Sequence, residues 1–216
     1  MYLVKTPWWL RALYPSFIWK IETSEPTIYL TFDDGPHETA TPFVLDILQQ
    51  YNAKASFFCI GKNVRLHPEI YQRILAEGHA VGNHTEHHLN GWKTKDEDYL
   101  QNIAKAATQI KSHLFRPPYG RIKNSQATLL KTNACAGLAN PEIIMWDVLS
   151  GDFDLGLSPE SCLQNVLKAT VSGSIVVFHD SAKAWDRMSF ALPKILKYFS
   201  DAGYGFKALP QKGRPG

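Results

Sequence analysis

Residues 27–36, TIYLTFDDGP, predict an apolar strand that ends in an acidic turn. The run Thr27–Phe32 is rich in β-branched and aromatic residues, which favour strands. Two adjacent carboxylates, Asp33 and Asp34, follow this run, and the Gly-Pro pair after them is typical of a tight turn. Functional side chains of parallel α/β folds gather where strands end and loops begin. This stretch therefore predicts both a strand and part of a functional site.

Similar short runs alternate with helical patterns along the rest of the chain. Further strands are predicted at Ala55–Ile60, Ala80–Asn83, Leu114–Arg116, Ile143–Trp146, Ile175–Phe178 and Tyr204–Ala208. Helices are predicted at Phe43–Tyr51, Ile70–Leu75, Asp96–Ile110, Pro159–Ala169 (with Ser158 as its N-cap) and Leu192–Ala202. This alternation indicates an α/β fold with a largely parallel sheet. The absence of a linker favours one distorted or incomplete (β/α) barrel over residues 26–216.

Composition excludes several classes of protein. The chain has 216 residues, of which 44% are hydrophobic and 20% charged, so it is not intrinsically disordered. A net charge of +3 without long basic runs argues against nucleic-acid binding. The isolated cysteines Cys59, Cys135 and Cys162 predict neither a disulfide framework nor a thiolate zinc site, and they favour a reducing compartment. The chain has eight histidines, and three of them lie within residues 84–88.

Residues 1–25 form an extension rich in aromatic and basic side chains. It lacks the apolar core and cleavage site of a signal peptide, and the chain has no run of the roughly 18 apolar residues needed to span a bilayer. Apolar residues at helical spacing, interrupted by Pro15, allow two interpretations: residues 1–20 pack on the protein's own body, as we expect, or lie on a membrane surface. We expect a monomer in the cytoplasm or at the periphery of a membrane.

The adjacent carboxylates of Asp33 and Asp34 suit two different tasks. Neighbouring side chains of an extended chain point in opposite directions, so one carboxylate would bind a cation while the other handles protons. The alternative interpretation is a solvated surface turn.

A histidine cluster follows the predicted strand Ala80–Asn83. His84 and His88 are four residues apart and would share one face of a helical turn, where both imidazoles reach one divalent cation. With Asp34 they would form a site of two histidines and one carboxylate with an open position, as hydrolytic zinc requires. His87 is a rival ligand, and a solvated histidine-rich loop is the alternative.

The segment 115–120, FRPPYG, follows another predicted strand. Its two prolines fix the backbone and leave the Tyr119 N–H as an isolated donor suited to an oxyanion. Arg116 suits a bidentate contact with a carboxylate. A rigid loop with a solvated arginine, or a polyproline recognition motif, would contain the same residues.

Two further predicted strands end in polar residues. The segment 146–154, WDVLSGDFD, contributes three acids, and the strand Ile175–Phe178 is followed by His179. A carboxylate such as Asp152 beside His179 would raise the pKa of the imidazole and suit it to general acid catalysis. The alternatives are a solvated acidic loop and a buried structural histidine.

These five motifs, in this order, resemble those of the polysaccharide deacetylases with a NodB homology domain, carbohydrate esterase family 4. The resemblance extends over about residues 27–206 and implies a distorted (β/α) barrel. It also implies a metal-dependent enzyme that hydrolyses N- or O-acetyl groups of polymeric sugars such as peptidoglycan, chitin or xylan.

The resemblance implies that Asp34, His84 and His88 hold the metal. Zinc is the expected ion, and cobalt, nickel and manganese are the alternatives. The expected partner is an acetylated carbohydrate, with N-acetyl preferred to O-acetyl. A hydrolase of small amides or esters on the same scaffold, and a non-catalytic carbohydrate-binding protein, are the competing functions.

The resemblance also implies a catalytic role for five residues. Asp33 looks like the general base, and Arg116 looks like the residue that orients it. The backbone N–H of Tyr119 resembles the oxyanion donor. His179 looks like the general acid, and Asp152 looks like the carboxylate that tunes it.

Three positions depart from the family's pattern. Leu149 stands where a second acid is frequent, and Phe153 stands where a tryptophan commonly walls the sugar groove. Val177 stands where a leucine usually lines the pocket for the acetyl methyl group. These departures leave the catalytic set intact and alter the expected shape of the groove.

Overall fold

The structure is a computed structural model that describes residues 2–132, 138 and 140–210. Its strands are β1 Thr27–Asp33, β2 Ser56–Cys59, β3 Ala80–Asn83, β4 Leu114–Phe115, β5 Glu142–Ile143, β6 Val148–Leu149, β7 Ile175–His179 and β8 Gly205–Phe206. Its helices are α1 Trp8–Leu13, α2 Ala40–Gln50, α3 Gly61–Leu66, α4 Pro68–Ala76, α5 Asp96–Ala107, α6 Asn124–Thr132, α7 Pro159–Ala169 and α8 Trp185–Asp201. Cys59 and Cys162 are buried free thiols, and Cys135 lies outside the described residues.

The strands form one parallel sheet in the order β5-β4-β3-β2-β1-β7-β6. β8 pairs with the first two residues of β1. β1 is buried along its whole length, as expected for a parallel strand whose two faces are both covered. The sheet curls into half a barrel with flanking helices, so the predicted α/β fold with a distorted or incomplete barrel is confirmed.

Alternate residues of β1 face two different cores. Ile28, Leu30 and Phe32 belong to a large apolar cluster that also contains buried residues of α2 and α8. Tyr29 belongs to a second cluster, which includes Phe58 of β2. Because side chains alternate along a strand, the terminal Asp33 lies on the same face as Tyr29 and opposite the packed helices.

The predicted helices agree best with the structure where a capping residue marks the end of the helix. α7 spans the predicted residues, and the Ser158 hydroxyl caps it by accepting a hydrogen bond from the Ser161 N–H at 3.1 Å. α8 begins at Trp185, well before the predicted Leu192, because its first turns bury Met188 in the main core. Helical spacing in the N-terminal segment is realised only in the six residues of α1, and α3, which the periodicity does not reveal, also has six residues. No helix among the described residues has the length and apolar character needed to cross a membrane.

The predicted strand Ile143–Trp146 is wrong beyond its first residue. β5 ends at Ile143, and the Met145 N–H donates to the Ile18 carbonyl at 2.7 Å instead of extending the sheet. A short strand that the pattern did not reveal, β6, follows at residues 148–149. The polypeptide therefore passes from one edge of the sheet to the other between β5 and β6.

The N-terminal segment, residues 2–25, contacts both edges of this sheet. Ile18 forms a parallel bridge with Ile144 beside β5, and Lys5 forms an antiparallel bridge with Val148 of β6. Phe17 and Trp19 are buried in a cluster with side chains of α5 and α6. The indole of Trp8, in contrast, is 79% exposed.

Candidate active site

The carboxyl ends of neighbouring strands lie together at one end of the sheet and surround a cavity of about 800 Å³. The cavity is lined by Tyr2, Asp33, Asp34, His84, His88, Asn90, Lys93, Tyr119, Gly120, Arg121, Trp146, Leu149, Phe153, Val177, His179, Ser181 and Lys183. The active sites of parallel α/β folds lie at the carboxyl ends of the strands, because the strand ends and their loops converge there.

Asp34, His84 and His88 form a cluster whose potential ligand atoms lie within 4.8 Å of one another. The Asp34 Oδ1 atom is 3.2 Å from His88 Nε2 and 3.7 Å from His84 Nε2. This oxygen is buried, and no hydrogen-bond donor contacts it. A buried carboxylate oxygen without a donor, facing two imidazole nitrogens, fits a divalent cation.

Burial keeps both imidazoles in the form that binds metals. It lowers the pKa of His84 to about 4, and it also lowers the pKa of His88. His84 Nδ1 lies 2.8 Å from the Arg116 carbonyl, which accepts a hydrogen bond from the N–H at this position and leaves Nε2 free to face Asp34. Neutral imidazoles with one free nitrogen are metal ligands near neutral pH.

The expected helical turn at the histidine cluster is wrong. Thr85 and His88 have φ values of 64° and 55°, and the segment is an irregular loop. The Asn83 side chain holds this loop, because its Oδ1 accepts a hydrogen bond from the Thr85 N–H at 2.8 Å. The loop nevertheless brings the His84 and His88 rings to 5.1 Å between centroids, whereas His87 is exposed and lies outside the cluster.

The expectation of an extended chain through both aspartates is also wrong. Asp34 has a φ of 83°, so the turn begins at this residue. Its carbonyl accepts a hydrogen bond from Asn63 Nδ2 at 2.7 Å, and the Gly35 N–H donates to Asp180 at 3.0 Å. The turn, and not strand alternation, separates the Asp34 carboxylate from that of Asp33.

Asp33 is held by a fully buried arginine. Arg116 Nη1 donates to Asp33 Oδ1 at 2.7 Å and to the Thr31 hydroxyl at 2.8 Å. The rest of the guanidinium donates to the carbonyls of Ile144 and Met145 at 3.3 and 3.0 Å. Because four acceptors fix the arginine, the Asp33 carboxylate has a defined orientation at the cavity wall.

The partly buried His179 forms a pair with the fully buried Asp152. Asp152 Oδ1 is 2.8 Å from His179 Nδ1, and its Oδ2 accepts a hydrogen bond from the His179 N–H at 2.7 Å. Burial by itself lowers the pKa of His179, but the charge and hydrogen bond of Asp152, together with the charges of Asp34 and Asp33, outweigh it and raise the pKa to about 10. The imidazole is therefore protonated at neutral pH, and it lines the cavity.

The Pro117-Pro118 turn presents Tyr119 to the same cavity. The N–H groups of Gly120 and Arg121 donate to the two proline carbonyls at 2.9 and 3.1 Å. Tyr119 has a φ of 61°, and its ring lies 4.5 Å from that of His88. The turn thus places this residue beside the cluster of Asp34, His84 and His88.

Comparison with known proteins identifies the family. The sequence model of the family described as polysaccharide deacetylase matches residues 20–137, more than half of the chain. The chain belongs to the polysaccharide deacetylase family. The resemblance inferred from the five motifs is thereby confirmed.

Relatives in this family cover nearly the whole chain. A peptidoglycan-N-acetylglucosamine deacetylase of Bacillus cereus is 36% identical over 199 residues, which cover 89% of this chain and 91% of the relative. A chitooligosaccharide deacetylase of Sinorhizobium fredii is 32% identical, with coverages of 88% and 93%. A crystal structure of a peptidoglycan N-acetylglucosamine deacetylase superposes with a TM-score of 0.83 at 31% identity and covers 95% of both chains.

Two buried acids of this polysaccharide deacetylase received no role from the sequence. Asp180 is fully buried, accepts hydrogen bonds from the Gly35 N–H and the Thr41 hydroxyl, and has a pKa that burial raises to about 8. Glu86, between His84 and His88, is also fully buried and contacts Arg65. Both acids adjoin recognised motifs in the sequence, but their supporting roles depend on partners distant along the chain.

The three departures from the family pattern all line the cavity. Leu149, Phe153 and Val177 contribute apolar side chains to its wall. The ring of Phe153 packs edge-on against the His179 ring at 5.3 Å between centroids. Tyr2, which no motif identified, also lines the cavity.

Proposed function

We propose that this protein is a metal-dependent deacetylase that removes acetyl groups from an acetylated carbohydrate and releases acetate. The observation that carries the proposal is that one cavity is lined by the metal-ligand cluster, by Asp33 and by His179. Each of the last two is held by a buried partner, Arg116 and Asp152 respectively. Family membership and the named relatives support the same activity.

Asp34, His84 and His88 would hold the metal, and we propose zinc. Two imidazoles and one carboxylate that leave a coordination position open suit hydrolytic zinc, although cobalt, nickel and manganese accept the same ligands. Such an ion, when bound, polarises the acetyl carbonyl and lowers the pKa of water to about 7.

Asp33 would act as the general base. It accepts a proton from the water that adds to the acetyl carbonyl carbon, and Arg116 keeps its carboxylate aligned for this transfer. The backbone N–H of Tyr119 would donate a hydrogen bond to the oxyanion that develops on the carbonyl oxygen. Asp33 thus moves the proton, and Tyr119 stabilises the charge.

His179 would act as the general acid. When the bond between the carbonyl carbon and the sugar nitrogen breaks, the protonated imidazole donates its proton to the leaving amine. Without a proton the sugar nitrogen would leave as an amide anion, which is a far poorer leaving group than an alkoxide. The His179–Asp152 pair therefore favours N-acetyl over O-acetyl groups as the substrate.

We further propose that residues 26–216 form one catalytic domain and that residues 1–25 are an extension packed on it. We also propose that the protein acts as a monomer. The bridges at Lys5 and Ile18 support the packing of the extension.

The test is acetate release by purified protein from acetylated chito-oligosaccharides, peptidoglycan fragments and acetylated xylan. We expect about one metal per chain, loss of activity with a chelator and recovery with zinc. Asp33→Asn should retain the metal and lose turnover. A metal-loaded protein inactive on all three substrates would overturn the proposal, and full activity of Asp33→Asn would overturn the assignment of the base.

A further inference from the structure

The first residues of the N-terminal segment lie along β6. The Leu149 N–H donates to the Val4 carbonyl at 2.8 Å, and the Thr6 N–H donates to the Asp147 carbonyl at 2.9 Å. The Thr6 hydroxyl adds a bond of 2.7 Å to the Trp146 carbonyl. This pairing brings the start of the chain to the cavity, where Tyr2 forms part of the wall.

A buried carboxylate anchors the segment. Asp147 is fully buried and accepts hydrogen bonds from Lys5 Nζ at 2.6 Å and from Arg11 Nη2 at 2.5 Å. Lys5 also donates to the Ala169 carbonyl at 2.8 Å. Because these contacts lie beyond Tyr2 in the chain, a substitution at Tyr2 leaves the anchor of the segment in place.

Tyr2 packs directly on the aromatic residue beside His179. Its ring lies 5.0 Å from the ring of Phe153, which in turn lies 5.3 Å from the His179 ring. Burial and the neighbouring Asp154 raise the pKa of the Tyr2 hydroxyl to about 12, so it remains a neutral hydrogen-bond donor. Aromatic pairs at such distances stabilise each other, and both Tyr2 and Phe153 line the cavity.

The backbone has space for this tyrosine because Gly151 lacks a side chain. A Cβ at Gly151 would lie 2.6 Å from the Tyr2 hydroxyl oxygen, closer than such contacts occur. The φ of Gly151 is 83°, in the region that favours glycine. The Tyr2 side chain therefore packs closely against Gly151 in the cavity wall.

We propose that Tyr2 is a substrate-contacting residue that forms an aromatic wall with Phe153, against which an acetylated sugar ring lies while its acetyl group faces the metal-ligand cluster. The inference rests on the proposed function, and it makes the N-terminal segment part of the active site. The family match covers residues 20–137, so both residues of the wall lie outside it.

The test compares two substrates in the full-length, zinc-loaded protein carrying its affinity tag at the carboxyl end. Acetylated chitotetraose is large enough to lie against the wall, whereas methyl acetate offers only a small acetyl ester without a ring. We expect Tyr2→Ala to raise KM for the oligosaccharide about tenfold, with kcat within about twofold. The kcat/KM for the ester should stay within about twofold, because the metal-ligand cluster and Asp33 are unchanged.

Two variants separate contact with the sugar from support of the fold. Tyr2→Phe retains the ring and should keep the oligosaccharide KM within about twofold of wild type. Leu3→Ala removes the neighbouring side chain, which is 55% exposed and does not line the cavity, and it should match wild type on both substrates. Thermal unfolding midpoints of all three variants show whether each protein is folded.

Each outcome decides a different point. An active wild type together with an unchanged oligosaccharide KM in Tyr2→Ala would overturn the wall and leave the proposed function standing. An equal loss on both substrates, or a similar loss in Leu3→Ala, would assign Tyr2 a purely structural role and also overturn the wall. A zinc-loaded wild type that hydrolyses the ester but no acetylated sugar would overturn the proposed function and the inference together.

Discussion

Asp147 and Asp152 lie five positions apart in the same acidic stretch, and both are fully buried, yet their surroundings differ. The Asp147 carboxylate binds Lys5, Arg11 and the Ser174 hydroxyl, away from the cavity. The Asp152 carboxylate binds His179, which lines the cavity. Asp147 therefore attaches the N-terminal segment, while Asp152 sets the protonation of a proposed catalytic group.

The difference shows that burial and residue type do not separate a structural acid from a functional one. The partner does. Permanently charged or strongly basic partners make Asp147 part of a fixed ion-pair network. An imidazole partner gives Asp152 influence over a group that exchanges protons near physiological pH. Four predictions test this contrast.

Asp152→Asn should have the largest effect, and it should act on catalysis. The amide is nearly isosteric but no longer stabilises a protonated His179, so kcat for N-acetyl substrates should fall roughly 100- to 1,000-fold. Metal content should remain at the wild-type level, because Asp152 is not among the ligands. Steady-state kinetics with metal analysis checks this, and wild-type turnover would contradict the tuning role.

The same substitution should move the alkaline limit of activity. In the wild type the pKa of His179 is raised to about 10, so the acid form persists until the pH approaches that value. Without the carboxylate the limit should move down toward the ordinary histidine pKa of about 6.5. By linkage, the stability contributed by the pair is fully present below the unfolded pKa and is lost as the pH rises through the folded one. Profiles of kcat/KM against pH that coincide would contradict this prediction.

Asp147→Asn should reduce the stability of the fold and leave the hydrolytic activity nearly unchanged. Loss of the buried charge weakens two ion pairs whose cations are partly exposed, which should lower the free energy of unfolding by about 2 kcal/mol. Urea unfolding measures the change, and p-nitrophenyl acetate hydrolysis should stay within about threefold of wild type. Asp201→Asn is the matched control, since it removes an exposed ion pair with Lys197 and should change stability by less than about 0.5 kcal/mol.

Ser174→Ala should have the smallest effect of the four. The Ser174 hydroxyl donates to Asp147 Oδ2 at 2.6 Å, while Lys5 and Arg11 remain as partners of the carboxylate. We expect the free energy of unfolding to fall by about 1 kcal/mol, with no change in the pH profile. A shift of that profile would show that the environment of the Asp147 carboxylate affects the pair formed by Asp152 and His179.

Short motifs at strand ends predicted much of the site because the strand periodicity of a parallel sheet is simple. Thr27–Phe32 lies in a strand, and Asp33 and His179 stand at neighbouring strand ends, paired in register. The form of the loops was not predictable in the same way. Asp34 and His88 adopt positive φ values, which are uncommon outside glycine, and the turn at Asp34 is held by the side chains of Asn63 and Asp180, which are distant in the sequence.

The sequence by itself determined the parallel α/β class, the family and the set of polar residues at the strand ends. Those features follow from local periodicity, turn chemistry and the order of motifs along the chain. The resemblance already implied that Asp152 pairs with His179, and the structure shows this pair. Only the tertiary structure decided that Asp147 binds the N-terminal segment and that Tyr2 lines the same cavity as Asp34. Such partnerships join residues far apart in the chain, and they arise from the curl of the sheet and the packing of its edges, which no local pattern records.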